Sequence, residues 1–161
     1  MKTLESLRTR LVTADDEAFL QYLYACGRAD ELERAGFSSD QRDTFCAMQF
    51  RARNRHYATH HADAEDSLLL IDDSMIGREL IDRSGAQCCL VDIALLPAYQ
   101  NRGIGSARLR QLIEHSERDA QTVLLHVDRS SRAQHLYTRH GFTVVADDGV
   151  YLQMVRSATA D

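Results

Sequence analysis

The stretch "ALLPAYQNRGIGSARL", Ala94 to Leu109, holds the only proline of the chain and, six residues on, the triplet Gly103-Ile104-Gly105. The run before it, Gln87 to Leu96, is almost wholly apolar, and it reads as a strand that stops at Pro97, where the ladder loses an N–H. After Gly105, Leu109, Leu112 and Ile113 recur at helical spacing. The order is therefore strand, stop, paired glycines, helix. A helix that starts there leaves its first N–H groups without intrahelical partners, and glycine does not shield them. Such a junction suits an anion, most simply a phosphate.

The rest of the chain alternates short elements around this junction. Arg8 to Val12 reads as a strand, and Thr13 with Asp16 forms a capping pattern ahead of Phe19, Tyr22, Leu23 and Cys26, a helix expected to end near Gly27. Ser38 with Gln41 repeats the pattern before a helix reaching about Ala58. Its apolar stripe is read as Phe45, Met48 and Ala52, and Arg51, Arg53 and Arg55 as a solvated charge run. Leu68–Ile71 and Met75–Ile81 flank the turn-forming Asp72-Asp73-Ser74 as a hairpin. "TVLLHV" is an interior strand, with Ser130 or Ser131 capping the helix "RAQHLYTRH" and Gly141 ending it. "FTVVAD" and "VYLQMV" close the chain as a second hairpin around Asp148-Gly149. The expected fold is α/β (α+β): one domain over residues 1–161 on a mixed, mostly antiparallel sheet, with a frayed tail from about 157.

Composition narrows the partners. At 161 residues the chain is long enough for one well-filled core. Its net charge of -5 and pI near 5.8 lack the basic footprint of a nucleic-acid binder and mildly favour a cationic substrate. No run approaches a membrane span, and "MKTLESLRTRLV" lacks a signal-peptide pattern, so a cytoplasmic location is expected. Cys26, Cys46, Cys88 and Cys89 show no metal-ligand spacing. Adjacent in one strand, Cys88 and Cys89 point to opposite faces. No metal is expected, and His60-His61 is read as a solvated helix end.

Two familiar phosphate loops fail on the residues present. A Walker A loop needs a lysine, absent here, and a dinucleotide fingerprint needs a third glycine where Arg108 stands. What remains is Gln100-Asn101-Arg102-Gly103-Ile104-Gly105 after a strand ending "VDIALLP". It resembles the Q/R-x-x-G-x-G/A loop of the GNAT superfamily of N-acetyltransferases. "LHVDRSSRAQHLYTRHGF" is similar to that superfamily's strand, polar turn, helix and "LY…GF". The resemblance covers Gln87 to about Val155, and the first half agrees in topology only.

The resemblance implies acetyl-CoA as acyl donor, its pyrophosphate on the amides of Asn101 to Ser106 with Arg102 adding charge. Gln100, Gly103, Ile104, Gly105 and Ser106 belong to the same loop. It also implies a bulged fourth strand whose Ile93, Ala94, Leu95 and Leu96 offer backbone groups to pantetheine, and Ser131 at a position where many relatives carry Asn. Tyr137 matches the family's general acid, although its helical stripe equally permits a core tyrosine with a satisfied hydroxyl. For the base, Asp92 stands in an apolar strand where burial would raise its pKa. His126 on the neighbouring strand competes with it, and for each a hydrogen-bonded residue without a catalytic part is equally open. The implied function is direct transfer of acetyl to a primary amine, on a small molecule or a peptide. The alternative is a non-catalytic acyl-CoA sensor or interaction module. Tyr22, Tyr24, Phe45, Phe50, Arg51 and Tyr57 are candidates for the acceptor pocket, and a homodimer is compatible with the sequence.

Overall fold

The structure is a computed structural model that describes residues 6–159. Residues 1–5 of the N-terminal segment and residues 160 and 161 of the expected frayed tail lie outside them.

Local signals place most elements. Strand β1 (Leu7–Leu11) leads to Thr13, whose N–H donates to Asp16 Oδ2 at 2.8 Å; this bond opens a short 3-10 turn and then helix α1 (Glu17–Arg34). The helix does not end at Gly27. It continues until Gly36 supplies a left-handed residue (φ +84°) and Phe37 N–H returns to Leu32 O. Helix α2 (Ser39–His60) opens on reciprocal bonds between Ser38 and Gln41. Strands β2 (Glu65–Ile71) and β3 (Ser74–Asp82) form the expected hairpin, and Asp72 and Asp73 both adopt positive φ, as a two-residue turn with the right twist demands.

After β4 (Cys88–Leu95) come a 3-10 turn at Pro97–Tyr99, helix α3 (Ile104–Arg118), strand β5 (Val123–Asp128), helix α4 (Ala133–Arg139), and the hairpin of β6 (Thr143–Asp147) and β7 (Tyr151–Arg156). The sheet runs β1-β2-β3-β4-β5-β7-β6, and among the described residues only β4 and β5 pair in parallel.

The edge strands β1 and β6 are largely exposed, while the centre of the sheet is buried on both faces. On one, Leu20 of α1 and Phe50 of α2 pack against Leu68; on the other, Leu109 and Leu112 of α3 and Tyr137 of α4 pack against Leu90, Leu125 and Met154. The stripe expected on α2 is rotated: the buried residues are Cys46, Phe50 and Tyr57, while Met48 is 51% exposed. Arg53 lies on this inward stripe, and a charge there hides the true period. His61 is not simply solvated, since its Nδ1 lies 2.8 Å from Asp82 Oδ2. In the expected frayed segment, Thr159 is tied to Glu117 through its N–H and its hydroxyl. Among the described residues no helix is long and apolar enough to cross a membrane.

Candidate active site

Strands β4 and β5 are paired only from Cys88↔Val123 to Leu90↔Leu125; beyond that they part. Against β3, Ile81 faces Leu90 and the next pair is Leu80 with Asp92, so Val91 is the extra residue of a β-bulge. A one-residue insertion exchanges the faces of everything beyond it. Leu90 therefore lies in the core under α3, whereas Asp92, two residues on, meets Arg53 of α2. The bulge expected from family resemblance is thus located at Val91.

Past the bulge, Leu96 N–H donates to Ile76 O at 2.8 Å. By the alternation of an antiparallel ladder, Ala94 also turns its polar groups to β3, while those of Ile93 and Leu95 face the gap. This corrects the expectation that all four residues offer backbone groups there: Leu96 has its amide engaged on β3. Leu95 O accepts a bond from Gln100 Nε2 at 3.0 Å, which ties the loop back to the strand.

The loop itself is shaped by Asn101 (φ +60°) and Gly103 (φ +81°), and Gly103 is the N-cap of α3 without any side-chain cap. Ala107 N–H closes the first turn onto Gly103 O, so the amides of Ile104, Gly105 and Ser106 have no intrahelical partner. Ile104 anchors the loop with its side chain in a cluster with Leu69, Ile71 and Ile76. A Cβ on Gly105 would meet only Leu136 Cδ2, at 3.7 Å, so packing does not require glycine there and the space above is open to a ligand.

Gly103, Gly105 and Ser106 line a cleft of about 690 Å³ together with Ile93, Ala94, Leu95, Gln100, Asn101 and Ser131. Arg102 lies outside it, its guanidinium over the Tyr99 ring at 5.5 Å. The cations on the cleft are instead Arg108, Arg132 and Arg139, none of which the sequence singled out as a ligand. Arg108 is held by both oxygens of Glu79, at 2.8 and 2.7 Å. The N-cap of α4 is Arg132, not Ser130 or Ser131 as expected; Ser131 Oγ, one residue earlier, accepts from Ala133 N–H at 3.1 Å, which leaves its own proton to give.

Tyr137 stands where this cleft meets a second one, of about 820 Å³, on the opposite face of the sheet. Its ring packs edge-to-face on Phe142, it is 7% exposed, and among the described residues its hydroxyl has no hydrogen-bond partner. Burial, reinforced by the Asp92 charge, pushes the phenol up to about 12. It stays protonated throughout the neutral range.

The second cleft brings together Asp92, His126 and Tyr137. Asp92 is not the isolated carboxylate expected from its strand, because Arg53 Nη2 donates to its Oδ1 at 3.0 Å. Arg53 is correspondingly no member of a solvated run. Its guanidinium lies between the rings of Tyr24 and Tyr57, at 5.7 and 5.4 Å, and bonds the Tyr57 hydroxyl. Of the acceptor-pocket candidates, Tyr24 and Tyr57 line the cleft, Tyr22 and Arg51 are exposed, and Phe50 is core. A spacing signal did exist for Arg53: it sits three residues after Phe50 and four before Tyr57, on the face those residues bury.

Comparison with known proteins agrees with this geometry. The Acetyltransferase (GNAT) domain family matches residues 63–144, from β2 to the first residues of β6, and hence includes both the gap and the glycine loop. The chain belongs to the GNAT acetyltransferase family. A curated relative, the [ribosomal protein bS18]-alanine N-acetyltransferase of Haemophilus influenzae, is 35% identical over 78 residues, 48% of this chain and 53% of the relative. The match thus spans about half the length of that relative. Among solved structures, the PaiA N-acetyltransferase of Thermoplasma acidophilum in complex with coenzyme A superposes with a TM-score of 0.71 at 18% identity, over 94% of this chain and 99% of that one. The ribosomal-protein-S18-alanine N-acetyltransferase of Escherichia coli gives a TM-score of 0.64 at 20% identity, over 96% of each chain. At those identities the superpositions establish a shared GNAT fold.

Proposed function

We propose that this GNAT protein transfers an acetyl group from acetyl-CoA to a primary amine, with the donor in the cleft of the glycine loop and the acceptor in the cleft across the sheet. The observation that carries the reading is Tyr137: a buried, unpartnered phenol at the junction of two clefts that meet where β4 and β5 part. The free amides of Ile104, Gly105 and Ser106 and the open space over Gly105 fit a pyrophosphate. The gap-facing groups of Ile93 and Leu95 fit the amide-bearing arm of pantetheine.

When bound, the thioester supplies an activated acetyl carbon and a sulfur that departs. Everything else is work for the chain. An aliphatic ammonium, with a pKa of about 10.4, must lose a proton before its nitrogen can attack. Asp92 is the first choice from sequence, but its pairing with Arg53 offsets its charge. We therefore assign the proton-accepting role to His126, which lines the acceptor cleft and makes no hydrogen bond among the described residues. Asp92 then fixes Arg53 and, through it, the wall formed by Tyr24 and Tyr57. Tyr137 Oη delivers its proton where the sulfur leaves, which a group held protonated at neutral pH is suited to do.

The rival reading, a non-catalytic acyl-CoA sensor, gives no reason for an unpartnered buried phenol facing the acceptor side. The experiment is to incubate the protein with acetyl-CoA and a panel of primary amines and to follow free thiol. Amine-dependent thiol release with an acetylated product supports the transferase. Tight CoA binding without release for any amine or N-terminal peptide supports the sensor.

A further inference from the structure

The glycine loop is tied to the C-terminal end of α4, where His140 is the C-cap. Ser106 Oγ, in the first turn of α3 and on the wall of the cleft, lies 3.1 Å from His140 Nε2, and His140 Nδ1 lies 2.9 Å from Leu136 O. A carbonyl only accepts, so Nδ1 carries the proton, and in a neutral ring Nε2 is then an acceptor. The donor in the contact with Nε2 is consequently the serine. Arg110 Nη1 donates to the same Oγ at 3.3 Å. The single proton of Ser106 is thus committed to the imidazole, and a ligand in the cleft meets no free hydroxyl donor there.

Resting on the donor site proposed above, we infer that His140 is a positioning residue for the donor's pyrophosphate: the protonated imidazole releases the Ser106 hydroxyl to the cleft, and the neutral one withholds it. A protonated ring carries a proton on each nitrogen, and Nε2–H then donates to Ser106 Oγ. The contact is kept while its direction reverses, and the serine proton becomes available to a phosphate oxygen. The same step places a positive charge one hydrogen bond away from that phosphate. Proton and ligand therefore bind together, and each strengthens the other by the same factor.

The surroundings favour this coupling. Arg110 of α3 shares Ser106, Arg139 precedes His140 in the chain and lines the cleft, and Arg156 of β7 donates through Nε to His140 O at 3.0 Å. Of these three, Arg156 alone has an ion-pair partner among the described residues, Glu117 of α3 at 2.6 Å. A pyrophosphate brings the negative charge that this basic corner lacks, so it can be taken up together with a proton. His135 is the other imidazole on the cleft and serves as the control.

Dephospho-coenzyme A is the probe, because its pyrophosphate keeps its charge across the range in which an imidazole titrates. Calorimetry on the wild-type protein should give an affinity about tenfold higher at about pH 5.5 than at about pH 8.5, the worth of one charge-assisted hydrogen bond. Near neutral pH the binding heat should vary with the ionisation enthalpy of the buffer, which reports proton uptake. Both signals should be lost in His140→Gln. Ser106→Ala should match the wild type at the higher pH and gain less on acidification, and it reads the same relay without touching the histidine. An equal loss of affinity at both pH values in His140→Gln, with proton uptake retained, would make the contact a packing bond and overturn the inference. Loss of the pH dependence in His135→Gln but not in His140→Gln would overturn it too. In either case the donor site stands. If neither dephospho-coenzyme A nor coenzyme A binds the wild type at any pH, the donor reading falls with the inference.

Discussion

Leu90 and Asp92, two residues apart on β4, point to opposite faces of the sheet because Val91 is a bulge between them. Without it, Asp92 would lie under α3 among apolar side chains. With it, the strand delivers a carboxylate to Arg53 and withdraws its edge from β5 at the same point. One inserted residue thus opens the gap proposed for the donor and furnishes a wall of the cleft proposed for the acceptor.

Removing the Asp92 carboxylate should loosen that wall. Asp92→Asn leaves Arg53 between two aromatic rings without its counter-ion. A fully buried broken pair costs several kcal/mol, but Arg53 is 41% exposed, so a loss of about 1 kcal/mol is expected. Chemical denaturation should show it as a lowered midpoint with unchanged m. KM for the amine should rise more than kcat falls. A proportionate fall in kcat with unchanged KM would return Asp92 to the role of base.

Gly105→Val should separate folding from donor binding. Its Cβ meets only the flexible Leu136 side chain, so the helix should tolerate the residue. The branched side chain would stand over the amides of α3 and should weaken CoA binding by at least about tenfold. Calorimetry on the folded variant checks this. Gly103 is a poorer target, because at φ +81° any side chain strains the backbone and confuses the two effects.

Asp16 should shape the acid limb of stability. Bonds from Arg10 and from Thr13 N–H hold its carboxyl far below the usual carboxylate range. A depressed folded-state pKa contributes stability above the unfolded value of about 3.9, and this is lost as pH falls further. Melting temperature against pH should therefore drop more steeply below about pH 4 for the wild type than for Asp16→Asn, whose starting stability should be lower. Parallel curves would remove Asp16 from the acid response.

The glycine loop, both hairpins, the capping pairs and the order of elements were legible because each follows from local backbone demands: positive φ, a missing N–H, or an orphan amide. What the sequence hid depends on contacts distant along the chain. Arg53 reads as surface on α2 until Asp92 and the rings of Tyr24 and Tyr57 arrive to accommodate it. Gly27 reads as a terminator until Leu32 finds a place in the core. Asp92 reads as anomalous in its apolar strand, but its partner lies 39 residues away. Arg132 and Arg139, on the cleft of the glycine loop, are not legible in the sequence because nothing in their spacing separates cleft from solvent.

The central claim, that Tyr137 is the acid at the meeting of two clefts, is tested most directly by Tyr137→Phe assayed for both CoA affinity and single-turnover acetyl transfer. Phe keeps the ring on Phe142, so affinity and melting temperature should stay close to wild type, while transfer should slow by about 10²- to 10⁴-fold. Because the phenol is pushed up to about 12, the wild-type rate should also show no loss from this group up to pH 10. Transfer at the wild-type rate in the Phe variant would contradict the account.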